Sequence, residues 1–446
     1  MKHILIGLVC VFASTASAQI GDYLGPGVLS RGAGDIGQRS GEQVDLRFFG
    51  NVTGIYDTGR QPFSVDPKGN LVEVNGLYGV EASFGVYGTH RWRRANLGLD
   101  YRGSFYHYPD SSYNDGSDHN LALGYTYQKS RRLIFDLRQI AGTTSRGVGN
   151  YGGLYGAYYS SPSTDIVNQP TTLLFDNRVY YIESAMDVNV VQSARTIYTM
   201  GGAGYTVHRQ AQNLIGVNGY ELHGSVTHRL SKTRGIGLHY THLHFDFPRA
   251  FGESDINMAE ASYNGRIGRY WTFSLGAGAF LAEVQGLQQV ALDPVIAALL
   301  GQSSVTQTFY RKVTYPSGQA NLTGHINKTS ILSFGFARSV TPGNGVYLTS
   351  RSDSAIASYS YTGIRKWNLG VDGGYNTLSG IGQGLQRYGQ VTGGAGFTYG
   401  VTRVIHIIGR FDARHQQIDL SGFRRTGYRT SIGIAFSPGD VPLSLW

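Results

Sequence analysis

Over much of this chain, apolar and polar residues alternate one by one. In 367–375, Trp367, Leu369, Val371, Gly373 and Tyr375 share one parity, and Asn368, Gly370, Asp372 and Gly374 share the other. In 271–281, Trp271, Phe273, Leu275, Ala277, Ala279 and Leu281 oppose Thr272, Ser274, Gly276 and Gly278. In 121–127, Leu121, Leu123, Tyr125 and Tyr127 oppose Ala122, Gly124 and Thr126. Successive side chains of a strand point to opposite sides of its sheet, so each segment predicts a strand with one apolar face. A soluble sandwich also keeps one face wet, so alternation by itself leaves the surrounding medium open.

The punctuation between these segments narrows the choice. Eight short turns, most of them basic, fall at 88–91, 129–131, 192–195, 230–233, 265–268, 326–328, 363–366 and 401–403. Longer connections are expected at 57–76, 143–178, 284–310 and 339–353. Alternation of short and long connections suits a membrane barrel with short turns on one side and longer loops on the other. Aromatic residues crowd the strand ends next to the short turns: Tyr125, Tyr127, Tyr263, Trp271, Tyr359, Tyr361, Trp367, Phe397 and Tyr399. Amphipathic rings favour the headgroup level, so these positions predict an interfacial girdle.

Closure needs one strand before the eight hairpins and one after. Residues 44–56, with Phe48, Val52 and Tyr56 on one face, supply the first. Residues 427–437 supply the last, with Tyr428, Ile432, Ile434 and Phe436 outward and Arg429, Ser431 and Gly433 inward. The expected fold is all-β, a transmembrane antiparallel up-and-down barrel of about 18 strands. The weakest stretch is 179–218, where 196–206 does not alternate cleanly. If that hairpin were an inserted loop, the barrel would have about 16 strands and a long third loop.

The N-terminus adds a compartment. Lys2 and His3 precede an apolar run, Ile4 to Ala13, and Ala16-Ser17-Ala18 offers a small-residue cleavage site. This is the pattern of a secretory signal peptide, and the run is too short to span a bilayer as a helix. The expected organisation is a signal peptide at 1–18, a flexible periplasmic segment at 19–43 and a transmembrane barrel at 44–446. Cys10 lies inside the leader, so the remainder carries no thiol chemistry. With 15% charged and 12% aromatic residues, the chain lacks the signature of disorder. No later segment has a long uncharged apolar run, and a membrane-resident chain without helices must be a closed barrel.

On these residues the chain resembles bacterial outer-membrane β-barrel proteins, of porin-like kind. The resemblance covers the leader and essentially the whole remainder. It includes a terminal aromatic, for which Phe436 closes the alternating strand and Trp446 closes the chain. The chain is also similar to a group of bacterial barrel proteins that end in the tail Ser437-Pro438-Gly439-Asp440. That likeness implies the fold and no activity.

Chemistry is to be sought on the inward face. Opposite charges recur there two residues apart: Asp45 with Arg47, Asp100 with Arg102, Asp136 with Arg138, and Arg410, Asp412 and Arg414 in a row. Glu81, Glu183, Asp187, Glu221, Glu260 and Asp372 add acid, and His223, His239 and His406 add titratable groups. The expected pore-lining set is Asp100, Arg102, Asp136, Arg138, Asp372, His406, Arg410, Asp412 and Arg414. Two readings stand side by side: a charged aqueous lumen that orients passing solutes, or a salt-bridge network that stiffens the interior. A barrel of this width favours water inside.

Other classes fit less well. His239, His242 and His244 form an H-x-x-H-x-H run, in which only His242 and His244 share a face, with no third ligand evident. No catalytic, cofactor or metal residue is expected. An outer-membrane hydrolase would need a Ser/His constellation that only geometry can identify. A structural, adhesive or ligand-binding barrel is the alternative to a channel. A plugged transporter is disfavoured, because about 25 residues separate Ala18 from the first strand. The net charge of +9 is scattered over turns, as at Arg93, Arg94, Lys129, Arg131, Lys232 and Arg403, which excludes nucleic acid and suits phospholipid headgroups. Expected partners are outer-membrane lipids, the barrel insertion machinery and small solutes, with a homo-oligomer left open. Loop 143–178, with Tyr151, Tyr155, Tyr158 and Tyr159, would contact sugars or cover the pore. In loop 284–310, Asp293, Pro294 and Gly301 bound a short apolar helix expected to fold into the mouth.

Overall fold

The computed structural model describes residues 43–58, 63–65, 71–73, 76–111, 114–144, 178–291, 302–382, 387–419 and 424–437. The leader, the segment before residue 43, residues 145–177, the helix expected at 293–301 and the tail 438–446 lie outside the described residues. Among the described residues there are twenty strands. β1 is Gln43–Asp57, and β2 (Phe63–Val65) and β3 (Leu71–Glu73) form a small separate hairpin in the first loop. The wall continues with β4 (Leu77–Arg91), β5 (Ala95–His107), β6 (Gly116–Gln128), β7 (Leu133–Thr144), β8 (Val179–Val191) and β9 (Thr196–Arg209). Then come β10 (Val217–Arg229), β11 (Arg234–Phe247), β12 (Gly252–Ile267), β13 (Trp271–Ala291) and β14 (Ser304–Asn327). The last are β15 (Ser330–Thr341), β16 (Ser350–Tyr361), β17 (Trp367–Gly380), β18 (Tyr388–Gly400), β19 (Ile405–Ile418) and β20 (Arg424–Phe436).

Apart from β2 and β3, all strands join one 18-stranded antiparallel sheet in chain order, and it closes on itself. The seam is β1, which pairs β4 through Gln43–Asp57 and β20 through Gly50–Asp57. Closure leaves no sheet edge along the seam, which is the condition for spanning lipid with strands.

The eight short turns are all present, at 92–94, 129–132, 192–195, 230–233, 268–270, 328–329, 362–366 and 401–404. Three differ in place from the sequence reading, one of them because 326–327 still belong to β14. Residues 88–91 and 265–267 continue β4 and β12, because glycine and basic side chains at a barrel rim still pair in the ladder. The weakly alternating stretch is a full hairpin, β8 and β9, which sets the count at 18 and removes the 16-strand alternative. Its outer face is diluted by Gly202 and Gly204, which hid the period. Two expected loops are shorter than the sequence suggested. Most of 284–310 is strand, since β13 and β14 pair from Trp271↔Gly324 up to Ala291↔Ser304. The connection after β15 spans only 342–349, since Ser339↔Ser352 and Thr341↔Ser350 still pair.

The wall has two zones. In the half nearest the short turns, apolar residues face out and small or polar residues face in. Leu238 on β11 and Met200 on β9 are 62% and 68% exposed, the exposure of side chains that lie against lipid. Further up β11–β13 the polarity inverts. On β11, outward Ile236, Leu238 and Tyr240 give way to His242, His244 and Asp246, while inward Gly237, His239 and Thr241 give way to Leu243, Phe245 and Phe247. On β12, outward Ala259 and Ala261 give way to Asn257, Asp255 and Glu253. On β13, outward Ala279 and Leu281 give way to Glu283 and Gln285, and inward Gly278 gives way to Phe280, Ala282 and Val284. The inversion falls on paired residues: Leu243↔Ile256 and Ile256↔Ala282 inside, His244↔Asp255 and Asp255↔Glu283 outside. It marks the level at which the wall leaves the hydrocarbon. Below it the apolar face needs lipid; above it the apolar face needs the barrel's own interior.

The aromatic girdle lies at the turn end as expected. Trp367 packs on Phe397 and Tyr399, with ring centroids 5.6 and 4.9 Å apart, and Tyr263 packs on Phe273 at 5.6 Å.

The charged lumen and its mouth

All nine expected pore-lining residues fall on the inward parity of their strands. Asp100 and Arg102 lie on β5, Asp136 and Arg138 on β7, Asp372 on β17, and His406, Arg410, Asp412 and Arg414 on β19. On β19 the alternation is sharp: Ile405, Ile407 and Phe411 are exposed outside, while Arg410, Asp412 and Arg414 are buried inside.

Two of the two-residue pairs form. Arg102 binds Asp100 through two bonds of 2.9 and 3.0 Å. Arg410 donates to Asp412 at 3.0 Å and, across β18, to Asp372 at 3.0 and 3.3 Å. The β7 pair divides differently. Arg138 reaches to Glu183 on β8 at 3.2 Å, while Asp136 accepts from Thr126 at 2.6 Å and from Asn189 at 2.7 Å. Cross-strand neighbours are closer than the next residue of the same parity, so they compete for the side chain. The side chain of Asp45 lies outside the described residues. His406 is inward on β19 near the short-turn end.

The structure adds partners that spacing did not show. Arg429 on β20 reaches over β1 to Glu81 on β4 at 2.6 Å, both nearly fully buried. His223 lies between Asp187 at 2.8 Å and Glu221 at 3.1 Å. His239 contacts Ser262 at 2.9 Å.

These pairs are spread around the ring. β19 and β10 are nine strands apart either way round the 18-strand wall. Arg410 and Arg414 on β19, with Arg429 on the adjacent β20, therefore face the side that carries Glu183, Asp187, Glu221 and Glu260 on β8, β10 and β12. Both walls carry both signs, since Arg410 lies on Asp372 and Asp412, Arg429 on Glu81 and Arg138 on Glu183, so the inner face is lined by paired charges.

Above the inversion the interior is apolar. Tyr181, Tyr205, Val207, Leu243, Phe245, Phe247, Ile256, Phe280 and Val284 form one buried cluster, with Phe280 and Ile256 fully withdrawn from solvent. The connection 342–349 folds onto it. Thr349 shares a 2.5 Å hydroxyl bond with Ser254 on β12, three strands round the wall from β15. Ile215 N, in the connection between β9 and β10, donates to Gly345 O at 3.0 Å. Leu348 packs against the apolar cluster, and the ring of Tyr347 lies 6.2 Å from that of Tyr388. Burial there pushes the Tyr347 phenol above its ordinary value.

Local chemistry sets the shape of this loop. Asn344 Oδ1 accepts from Val346 N at 3.2 Å and Tyr347 N at 3.0 Å, an Asx-type turn. Gly343 has φ of 73°, and a Cβ there would lie 1.7 Å from the Tyr347 carbonyl oxygen, so only glycine fits. The Pro-Gly-Asn-Gly run at 342–345 was a legible turn signal, but its inward direction was not.

An apolar belt outside, a charged wall inside and a closed ring of strands together define a membrane-spanning β-barrel of outer-membrane type. No family model matches the chain, and no curated protein matches it. Among solved structures it is similar to OccK2 (OpdF) of Pseudomonas aeruginosa in complex with glucuronate. The TM-score is 0.44 at 10% identity, covering 90% of this chain and 100% of that one. OpdQ of Pseudomonas aeruginosa gives 0.43 at 8%, covering 90% and 98%. The ferric citrate transporter FecA, in its unliganded form, gives 0.44 at 11%, covering 86% of this chain and 61% of that one.

Proposed function

We propose that this barrel is a channel of the bacterial outer membrane that passes small charged solutes, with the connection 342–349 acting as its constriction. The observation that carries this reading is the inner face of an 18-strand ring, lined by arginines and carboxylates in pairs. Barrels of this strand number are too wide for wall side chains alone to fill. Charges of both signs along the wall let a solute slide while its charged and polar groups keep partners, and the apolar mouth restricts what enters.

The test is conductance in planar bilayers. The wild-type barrel should give discrete channels, and removal of 343–348 should raise the unit conductance severalfold. Arg410→Gln with Arg414→Gln should move reversal potentials in a salt gradient toward cation preference. A silent trace in both the wild type and the loop deletion would reject the channel. It would favour a ligand-binding or structural barrel, the reading supported by the deep burial of Arg410, Arg414 and Arg429.

A further inference from the structure

At the inversion, the outer wall of β10–β12 carries a cluster of side chains that point away from the barrel: Tyr220, Tyr240, His242, His244, Asp255 and Asn257. They form one network. Asn257 Oδ1 accepts from Tyr240 Oη at 2.7 Å and from His242 Nδ1 at 3.1 Å. Asp255 Oδ1 accepts from His244 Nδ1 at 2.8 Å and lies 4.0 Å from His242 Nε2. The Tyr220 ring stacks on His244, with centroids 5.0 Å apart and planes 21° apart. Every polar contact among these uses Oδ1 of Asp255 or Asn257. The second Asp255 oxygen and the Asn257 amide N–H groups are left without a partner among the described residues.

The chemistry discriminates among ligands. No group of three metal-ligating side chains among the described residues is arranged to hold an ion. A bare anion is opposed by Asp255 and its outward neighbours Asp246 and Glu253. A hydroxyl group both donates and accepts. A carboxylate oxygen can accept a hydrogen bond from one hydroxyl while the amide N–H groups beside it donate to its neighbour. A tyrosine face beside them offers an apolar platform for a flat ring. Acceptor, donor and platform together fit a saccharide. The level fits too, since the apolar belt ends immediately below at Leu222 and Leu238, where lipid headgroups begin.

We infer that this patch binds the saccharide headgroup of an outer-leaflet glycolipid, with Tyr220 as the stacking platform and Asp255 with Asn257 as the hydroxyl-reading pair. The inference rests on the outer-membrane placement proposed above. The test uses the full chain in nanodiscs of phosphatidylethanolamine, with or without a minor fraction of a lipid A-type glycolipid, and native mass spectrometry of the bound lipids. The wild type should retain glycolipid over phospholipid. Tyr220→Ala and Asp255→Asn should each lower the retained fraction about tenfold, equivalent to about 1.4 kcal/mol. Leu238→Ala, below the patch, should leave it unchanged. Heat-modifiable migration on gels shows that each variant is folded. A soluble glucosamine disaccharide should compete; competition by inorganic phosphate alone would overturn the saccharide assignment. Equal retention of both lipids, unchanged retention in both variants, or a stable dimer in place of lipid adducts would also overturn it. Failure to insert into either disc would instead reject the membrane reading itself.

Discussion

The lower and upper halves of β11–β13 are built from the same strands with opposite polarity. Below the inversion, Leu238 is outside and His239 inside; above it, His244 is outside and Phe245 inside. The backbone does not change, since the ladder β11–β12 runs unbroken from Arg234↔Gly265 to Phe247↔Gly252. What changes is the solvent on each side. Next to lipid, the apolar residues must point outward and the lumen can stay polar. Above the lipid, water lies outside, and the apolar side chains find cover only by meeting one another and the connection 342–349 inside. The same register thus serves a membrane protein below and a small soluble-type core above.

Substitutions can break this contrast, and the largest effect should fall in the upper core. Phe280 is fully buried, so Phe280→Ala should cost about 3–5 kcal/mol, read from urea-dependent folding into lipid vesicles. If the mouth were not packed against Phe280, the loss would be well below that. Next in size is a charge placed on the outer face below the inversion. Leu238→Arg should cost about 1–2 kcal/mol, between the midplane and interface penalties for a cation at the top of the apolar belt. The smallest effect should come from the same charge above it. His244→Arg should cost only about 0–1 kcal/mol in the same vesicles, as at an interface. Equal costs for the two would place the membrane boundary elsewhere. Gly343→Ala sharpens the comparison in the loop: it should disturb the mouth and raise conductance while leaving the lower wall's amide-exchange protection unchanged.

Much of this was readable before any coordinates. The turn positions 192–195 and 230–233, the closing segments and the inward parity of the nine charged and histidine residues singled out on β5, β7, β17 and β19 follow from alternation and turn chemistry. The β8–β9 hairpin was harder, because Gly201, Gly202 and Gly204 carry no side chain to mark a face. The sequence understates β13 and β14 because polar residues such as Gln285, Gln288, Gln289, Thr306 and Gln307 resemble loop composition. In fact they are strand residues that have risen out of the lipid.

The division has a physical cause. The direction of a side chain in an extended backbone is a local property, so the chain's own order of residues decided the strands, their two faces and the sites of reversal. Contact across the ring is not local. That Arg429 meets Glu81 over the seam, that β19 faces β10, and that 342–349 turns inward to Ser254 depend on closure at one strand number. Closure joins residues hundreds of positions apart, and only the tertiary structure shows which ones meet.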